Sequence, residues 1–355
     1  MTSTFETTPT DTDLATLSDA WLHAQARGPE YDGYLSNHAP MVVEALQRHG
    51  LAEEIEPWLT TYGSRLHQPL PTADPLPLAE RDEALGDRGR LPSWIATFER
   101  EVAERGWQEV LGVWWPRLLP GLAGAATHPI IRVGHVTRAL RDHRVDLAVG
   151  ERELAHALGY WAAAWMPAPT AGVPLGPEPR AALDAVAPIA RDRGGLGERF
   201  AALAAEERPA PHAAWTPEPE EVPDLLRRLV EANVHRYPQA AGGNAVMVVH
   251  ASTASNAVLR TLPSVPREWW PLSASAAWAA SATLHAVYPV RAGWTPPPVE
   301  RPDDVRDAFA LAARHGDEHV IKFADTALDV AAWTGDPAIT DSITTAVRLI
   351  DPLER

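Results

Sequence analysis

The sequence predicts an all-α protein, a single multi-helix domain with Pro-rich connecting loops. Three observations carry that expectation. Apolar residues recur at three- and four-residue spacing along most of the chain. Most of the thirty-four prolines fall between those periodic stretches. No segment alternates apolar and polar residues over successive strand lengths. In chain order, residues 1–11 are Thr-rich and read as a disordered tail, which leaves 12–355 as the domain. Leu14, Leu17, Trp21 and Leu22 then share one helical face, with Asp13 near its start. Met41, Val42, Ala45 and Leu46 form the next face; Pro40 suits a first turn and Gly50 a stop. Further amphipathic stretches are expected over about 91–115, 121–141, 151–165, 179–205, 222–234, 244–262, 274–287, 305–314, 317–333 and 338–350. The segments 67–78, 166–179, 208–223 and 294–302 are extended connectors.

Composition narrows the function. The net charge of −16 over 355 residues repels phosphate backbones and anionic headgroups, so nucleic acid and membrane are not expected partners. The absence of cysteine removes disulfides, thiolate metal sites and cysteine nucleophiles. No apolar run reaches spanning length, and the first residues lack the basic and apolar regions of a signal peptide. A soluble cytoplasmic protein is the expectation. GGLG at 194–197 is not a dinucleotide fingerprint, and no GxxxxGK, HExxH or GxSxG occurs. Lys322 is the single lysine among thirty arginines. A high-GC genome accounts for the missing lysines and leaves open why one stayed. Fourteen tryptophans outnumber six tyrosines and five phenylalanines, which suits core packing or a planar ligand.

Histidine remains as the chemical resource, with fourteen copies. His128, Arg132 and His135 lie at i, i+4 and i+7 in THPIIRVGHVTRAL and share a helical face. His250 ends the apolar run NAVMVVH, His38 stands at a helix start in YLSNHAPM, and His319 and Lys322 are i and i+3 in GDEHVIKFADTAL. One buried histidine is ordinarily satisfied by a carbonyl. Several helices aiming imidazoles at one apolar interior instead suggest a metal site of the helix-bundle kind, suited to iron, zinc, copper or manganese. His23, His49, His67, His143, His156, His212 and His315 read as surface or loop residues. Trp114, Trp115, Trp161, Trp165, Trp269, Trp270 and Trp278 could line a flat pocket or simply fill the core. Asn37 could cap the helix after His38.

EYDGYLSNHAPMVVEAL resembles the opening Asn-His motif of the questin oxidase-like family. THPIIRVGHVTRAL resembles its central His-containing helix, VMVVHASTASNAV its His–x–x–Thr segment (His250 and Thr253), and GDEHVIKFADTAL its Glu-His-x-x-Lys segment (Glu318, His319 and Lys322). The four motifs occur in order from about residue 31 to 334. The resemblance implies a helical oxygenase of secondary metabolism that opens or inserts oxygen into an aromatic polyketide or quinone, with O2 as co-substrate. It also implies non-haem iron, as Fe2+, held by histidines and a carbamylated lysine. Carried onto this chain, the metal ligands are His38, His128, His250, His319 and Lys322. Arg132 and His135 are the expected catalytic pair; His135 is either a ligand or an outer partner. Met41 stands where many members have a second histidine, and Arg132 where some have one.

The chemistry of Lys322 agrees. An ammonium cannot bind a metal, but burial favours the neutral amine, which adds carbon dioxide to give an anionic oxygen donor. A snorkelling residue paired with Glu318 or Asp325 is the other reading. Two rival functions stay open: a Baeyer–Villiger-type oxidase using NADPH as electron donor without a bound metal, and a non-catalytic helical small-molecule-binding protein.

Overall fold

Helix-start and helix-stop residues set most of the architecture. A computed structural model of the chain describes residues 11–32, 35–66, 71–190, 193–209 and 215–354. It is all-α, with fourteen α-helices among the described residues: α1 (Asp11–Gln25), α2 (Ala39–Arg48), α3 (Ile55–Gly63), α4 (Leu91–Arg105), α5 (Trp107–Leu118), α6 (His128–Arg141), α7 (Leu147–Ala163), α8 (Pro179–Asp184), α9 (Leu196–Ala205), α10 (Val222–Thr261), α11 (Trp270–Val287), α12 (Val305–His315), α13 (Glu318–Thr334) and α14 (Ile339–Leu349). Asp146, Asp304 and Asp317 cap α7, α12 and α13 by accepting their first backbone N–H groups. Pro40 sits in the first turn of α2 as expected. The expected tail falls at 1–10, outside the described residues, and Asp11 already belongs to α1.

Several boundaries differ from the sequence reading, each for a local backbone reason. The stretch expected at 91–115 splits at Gly106 (φ 81°, ψ 153°) into α4 and α5. The stretch expected from 121 becomes α-helical only at His128, because Ala125, Ala126 and Thr127 are left-handed (φ 45°, 53° and 68°). The 179–205 stretch yields only α8 and α9. The separate helices expected at 222–234 and 244–262 join as α10, which bends where Asn244 (φ −163°, ψ 110°) leaves the helical region. The Asn244 Oδ1 accepts the Met247 N–H and so starts a second helical segment. A Cβ on Gly243 would lie 2.2 Å from the Tyr288 carbonyl oxygen, so glycine permits the close contact at this bend. Helix α3 was not anticipated, nor was the two-residue antiparallel hairpin of β1 (Glu30–Tyr31) and β2 (Leu35–Ser36).

Helix α10 is central and packs on α6, α11, α13 and α14, while α6 also contacts α2 and α7, and α2 contacts α13. The α6–α10 crossing is close: a Cβ on Gly134 would lie 2.6 Å from the Ala257 Cα. Buried Leu, Ile, Val, Ala and Trp side chains fill the interior between these helices. No helix among the described residues is long and apolar enough to cross a membrane. Trp114, Trp115 and Trp161 are buried, with their indole N–H groups on Glu101, Ser273 and the Gly121 carbonyl, so these three belong to packing.

Candidate metal centre

Four helix segments bring four histidines together. His38 precedes α2 as its N-cap residue, His128 opens α6, His250 lies one turn and a half beyond the bend in α10, and His319 is in the first turn of α13. The His38 and His128 Nε2 atoms are 2.8 Å apart, and those of His128 and His250 are 3.1 Å apart. The His319 ring lies 4.8 Å from His38 and 5.3 Å from His250, centroid to centroid. His38, His128 and His319 each offer a ligand atom within 4.8 Å of the others.

What lies behind each ring decides its protonation. His128 Nδ1 is 2.6 Å from the Ala125 carbonyl oxygen and His250 Nδ1 is 3.2 Å from that of Met247. A carbonyl only accepts, so both rings donate from Nδ1, and in the neutral form each Nε2 carries a bare lone pair. His38 Nδ1 faces the Tyr62 hydroxyl at 3.3 Å and Glu318 Oε1 at 3.7 Å, and its backbone N–H donates to the same hydroxyl at 2.9 Å. Inward lone pairs at such separations repel unless a proton or a cation lies between them. Burial, followed by the charges of neighbouring groups including Lys322, holds His38, His128 and His250 well below the usual histidine range. A metal ion fits this spacing. Metal–nitrogen bonds of about 2.0–2.1 Å at angles between square and tetrahedral put ligand nitrogens about 2.8–3.4 Å apart.

Lys322 lies one helical turn after His319, fully buried, and its Nζ has no hydrogen-bond partner among the described residues. Burial pulls its pKa down to about 7, against the opposing pull of Glu318 and Asp317. A buried amine without a partner needs an explanation, and conversion to a metal-binding group supplies one. Imidazoles joined by an anionic oxygen, were Lys322 to supply one, would suit iron or zinc chemistry.

The other two expected site residues point elsewhere. Both ring nitrogens of His135 face acids, Nδ1 toward Glu44 Oε2 at 2.8 Å and Nε2 toward Asp325 Oδ2 at 3.8 Å. Arg132 is buried and donates from Nε to Glu153 on α7. No hydrogen bond connects Arg132 to the imidazole cluster among the described residues. The shared helical face drawn from the sequence is real, but 128, 132 and 135 fan across an arc wide enough to reach three different neighbours. Arg132→Ala is therefore expected to cost about 3–5 kcal/mol of stability, by leaving the Glu153 carboxylate buried and unpaired. Arg132→Met combined with Glu153→Leu should recover most of that loss, and denaturant melts of the three proteins check it.

Sequence reasoning missed Tyr62 because it missed α3; its ring stacks on Trp58 at 4.4 Å, and its hydroxyl holds His38. The left-handed Ala125–Thr127 turn was also unanticipated, since alanine and threonine give no signal for positive φ. It aims the Ala125 carbonyl at His128, a place where backbone strain accompanies a functional geometry. His156, taken for a surface residue, is buried with Nε2 3.3 Å from Glu99. Asn37 does act at the start of α2, accepting the Ala39 N–H at 3.0 Å. No known protein family matches the chain, and no curated protein matches it.

Proposed function

We propose that this protein is a metal-dependent oxygenase, with non-haem Fe2+ as its metal, acting on a phenolic or quinonoid aromatic of the polyketide type. The observation that carries the metal is the convergence of the His38, His128 and His250 Nε2 atoms, with carbonyl acceptors behind the His128 and His250 rings that leave bare Nε2 lone pairs on those two. The resemblance of four ordered motifs to the questin oxidase-like family supports the reaction class and the aromatic substrate. His38, His128, His250, His319 and Lys322 would hold the ion, which when bound supplies a site for O2 and for a substrate oxygen.

The chain's own residues prepare the site. Backbone carbonyls of Ala125 and Met247 hold two rings in the tautomer that binds metal, and Tyr62 and Glu318 stand behind His38 Nδ1. The Lys322 amine, neutral in an appreciable fraction at pH 7, attacks carbon dioxide through its lone pair. One N–C bond forms as one C=O π bond of carbon dioxide opens onto its oxygen, the amine gives up one proton to solvent, and the carbamate oxygens carry the negative charge. Burial around the rings excludes bulk water from the reacting face.

Elemental analysis of purified protein should find about one first-row transition metal per chain. Finding none, even after anaerobic incubation with ferrous iron, would overturn this reading. Turnover of a hydroxylated anthraquinone without NADPH separates it from a nicotinamide-dependent oxidase.

A further inference from the structure

The four segments that carry the imidazoles also carry a second set of buried polar side chains. His38 is followed by Glu44, His128 by His135 and Arg138, His250 by Asn256 and Arg260, and His319 by Asp325 and Asp329. At 1.5 Å of rise per residue, offsets of six to ten residues place the second layer roughly 9–15 Å along the helix axes.

This layer is closed by contacts that cross between helices. Glu44 accepts from the Arg138 Nε at 3.0 Å and from its Nη2, joining α2 to α6. Asp325 accepts from Arg138 Nη1 at 3.2 Å and Nη2 at 3.1 Å, joining α6 to α13. Arg260 donates to Asp325 Oδ2 from Nη1 at 2.8 Å and to Asp329 Oδ2 from Nε at 2.9 Å, joining α10 to α13. His49, just past the end of α2, has its Nε2 2.8 Å from Asp325 Oδ1. Glu44 and Asp325 are fully buried and Arg138 is nearly so.

These groups do not form a second metal site, although Glu44, His135 and Asp325 lie close enough together to suggest one. Arg138, Arg260 and His49 already engage the Glu44 and Asp325 carboxylates. Nor is stability a sufficient reason for the layer, because apolar side chains of similar volume commonly serve as well as a buried ion network. Direction is what an ion network adds. A guanidinium fork meets two carboxylates in few orientations, whereas alanine and valine faces pack at many. Metal–ligand distances tolerate only about 0.2 Å of error, less than an apolar helix interface holds by itself.

We propose that Asp325 and Arg138 are positioning residues for the metal centre. Their charge layer sets the rotation and axial register of α2, α6, α10 and α13, and thereby brings His38, His128, His250, His319 and Lys322 together. This inference rests on the metal-centre reading.

Cobalt(II) titrated into metal-free full-length protein tests it, because the visible band reports ligand number and symmetry while the titration gives affinity. Asp325→Asn is expected to lower cobalt affinity about tenfold or more and to change the band. Arg138→Lys, which keeps the positive charge but loses the fork across Glu44 and Asp325, should move both in the same direction and serves if Asp325→Asn does not fold. Leu203→Ala, in the core around α9, lowers stability without touching either layer and should leave band and affinity unchanged. A folded Asp325→Asn (or, failing that, Arg138→Lys) with the wild-type band and affinity overturns the positioning role alone. Wild-type protein that takes up no cobalt overturns the metal centre and this inference with it.

Discussion

His128→Ala should purify with little or no metal while its far-ultraviolet circular dichroism stays close to that of the wild type. His128 Nε2 is the atom that meets both His38 and His250, so its loss removes the middle of the donor set. The effect on affinity should exceed the roughly 10–100-fold that follows loss of a ligand's outer partner. The helix itself should survive, because Ile130, Ile131, Val133 and Val136 remain buried along α6. His250→Ala should behave in the same way. Collapse of the helical signal would instead make these histidines structural, and full metal content would remove them from the centre.

Lys322→Met should separate stability from metal binding. In the metal-free, carbon dioxide-free protein the Lys322 amine titrates near 7, against 10.5 for an ordinary lysine. Between those values the unfolded chain binds more protons than the folded one, so this group makes stability rise with pH. Its full cost is present below about pH 7 and is relieved as pH climbs through the window. Methionine keeps the apolar stem without the amine. The variant should gain on the order of a few kcal/mol at neutral pH and lose the slope between 7 and 10.5, yet bind no metal. Lys322→Arg keeps a buried cation and should lose both metal and stability. Lys322→Ala should regain some metal with added short carboxylic acids, because these replace the carbamate oxygen. Denaturant melts across pH, with and without bicarbonate, read all three. A Lys322→Met protein that binds metal as the wild type does would end the carbamate proposal.

The fold class was legible because helix periodicity and proline placement are local signals that packing reinforced. Asp146, Asp304 and Asp317 did what capping residues do. The joining of two stretches into α10 was not legible, since the bend at Asn244 depends on contacts from Tyr288 and Trp294. Among the site residues, His38, His128, His250 and His319 stood out as imidazoles in apolar helical runs, and the structure gathers them. Arg132 and His135 stood out for sharing the His128 helical face, and their side chains meet Glu153 and Glu44. A single helical face cannot reveal which neighbour each of its rows will meet. The second layer did leave a trace: Glu44 in MVVEAL, Arg138 in VTRAL and Asp325 in KFADTAL are charges set inside apolar runs.

At Asn244 the backbone of α10 leaves the helical region and the Asn244 side chain takes up the Met247 N–H, so a bend divides the helix. Hydrogen exchange is expected to resolve the two halves as separate units of local opening rather than one rod. The first half meets α8 through Arg236 and Asp184 and α14 through the Val234 carbonyl and Ser342, away from the turn that bears His250. The second half, anchored at Arg260 and crossed by α6 at Gly134, should exchange more slowly. A break in one helix would then insulate the segment that bears His250 from motion at its own far end.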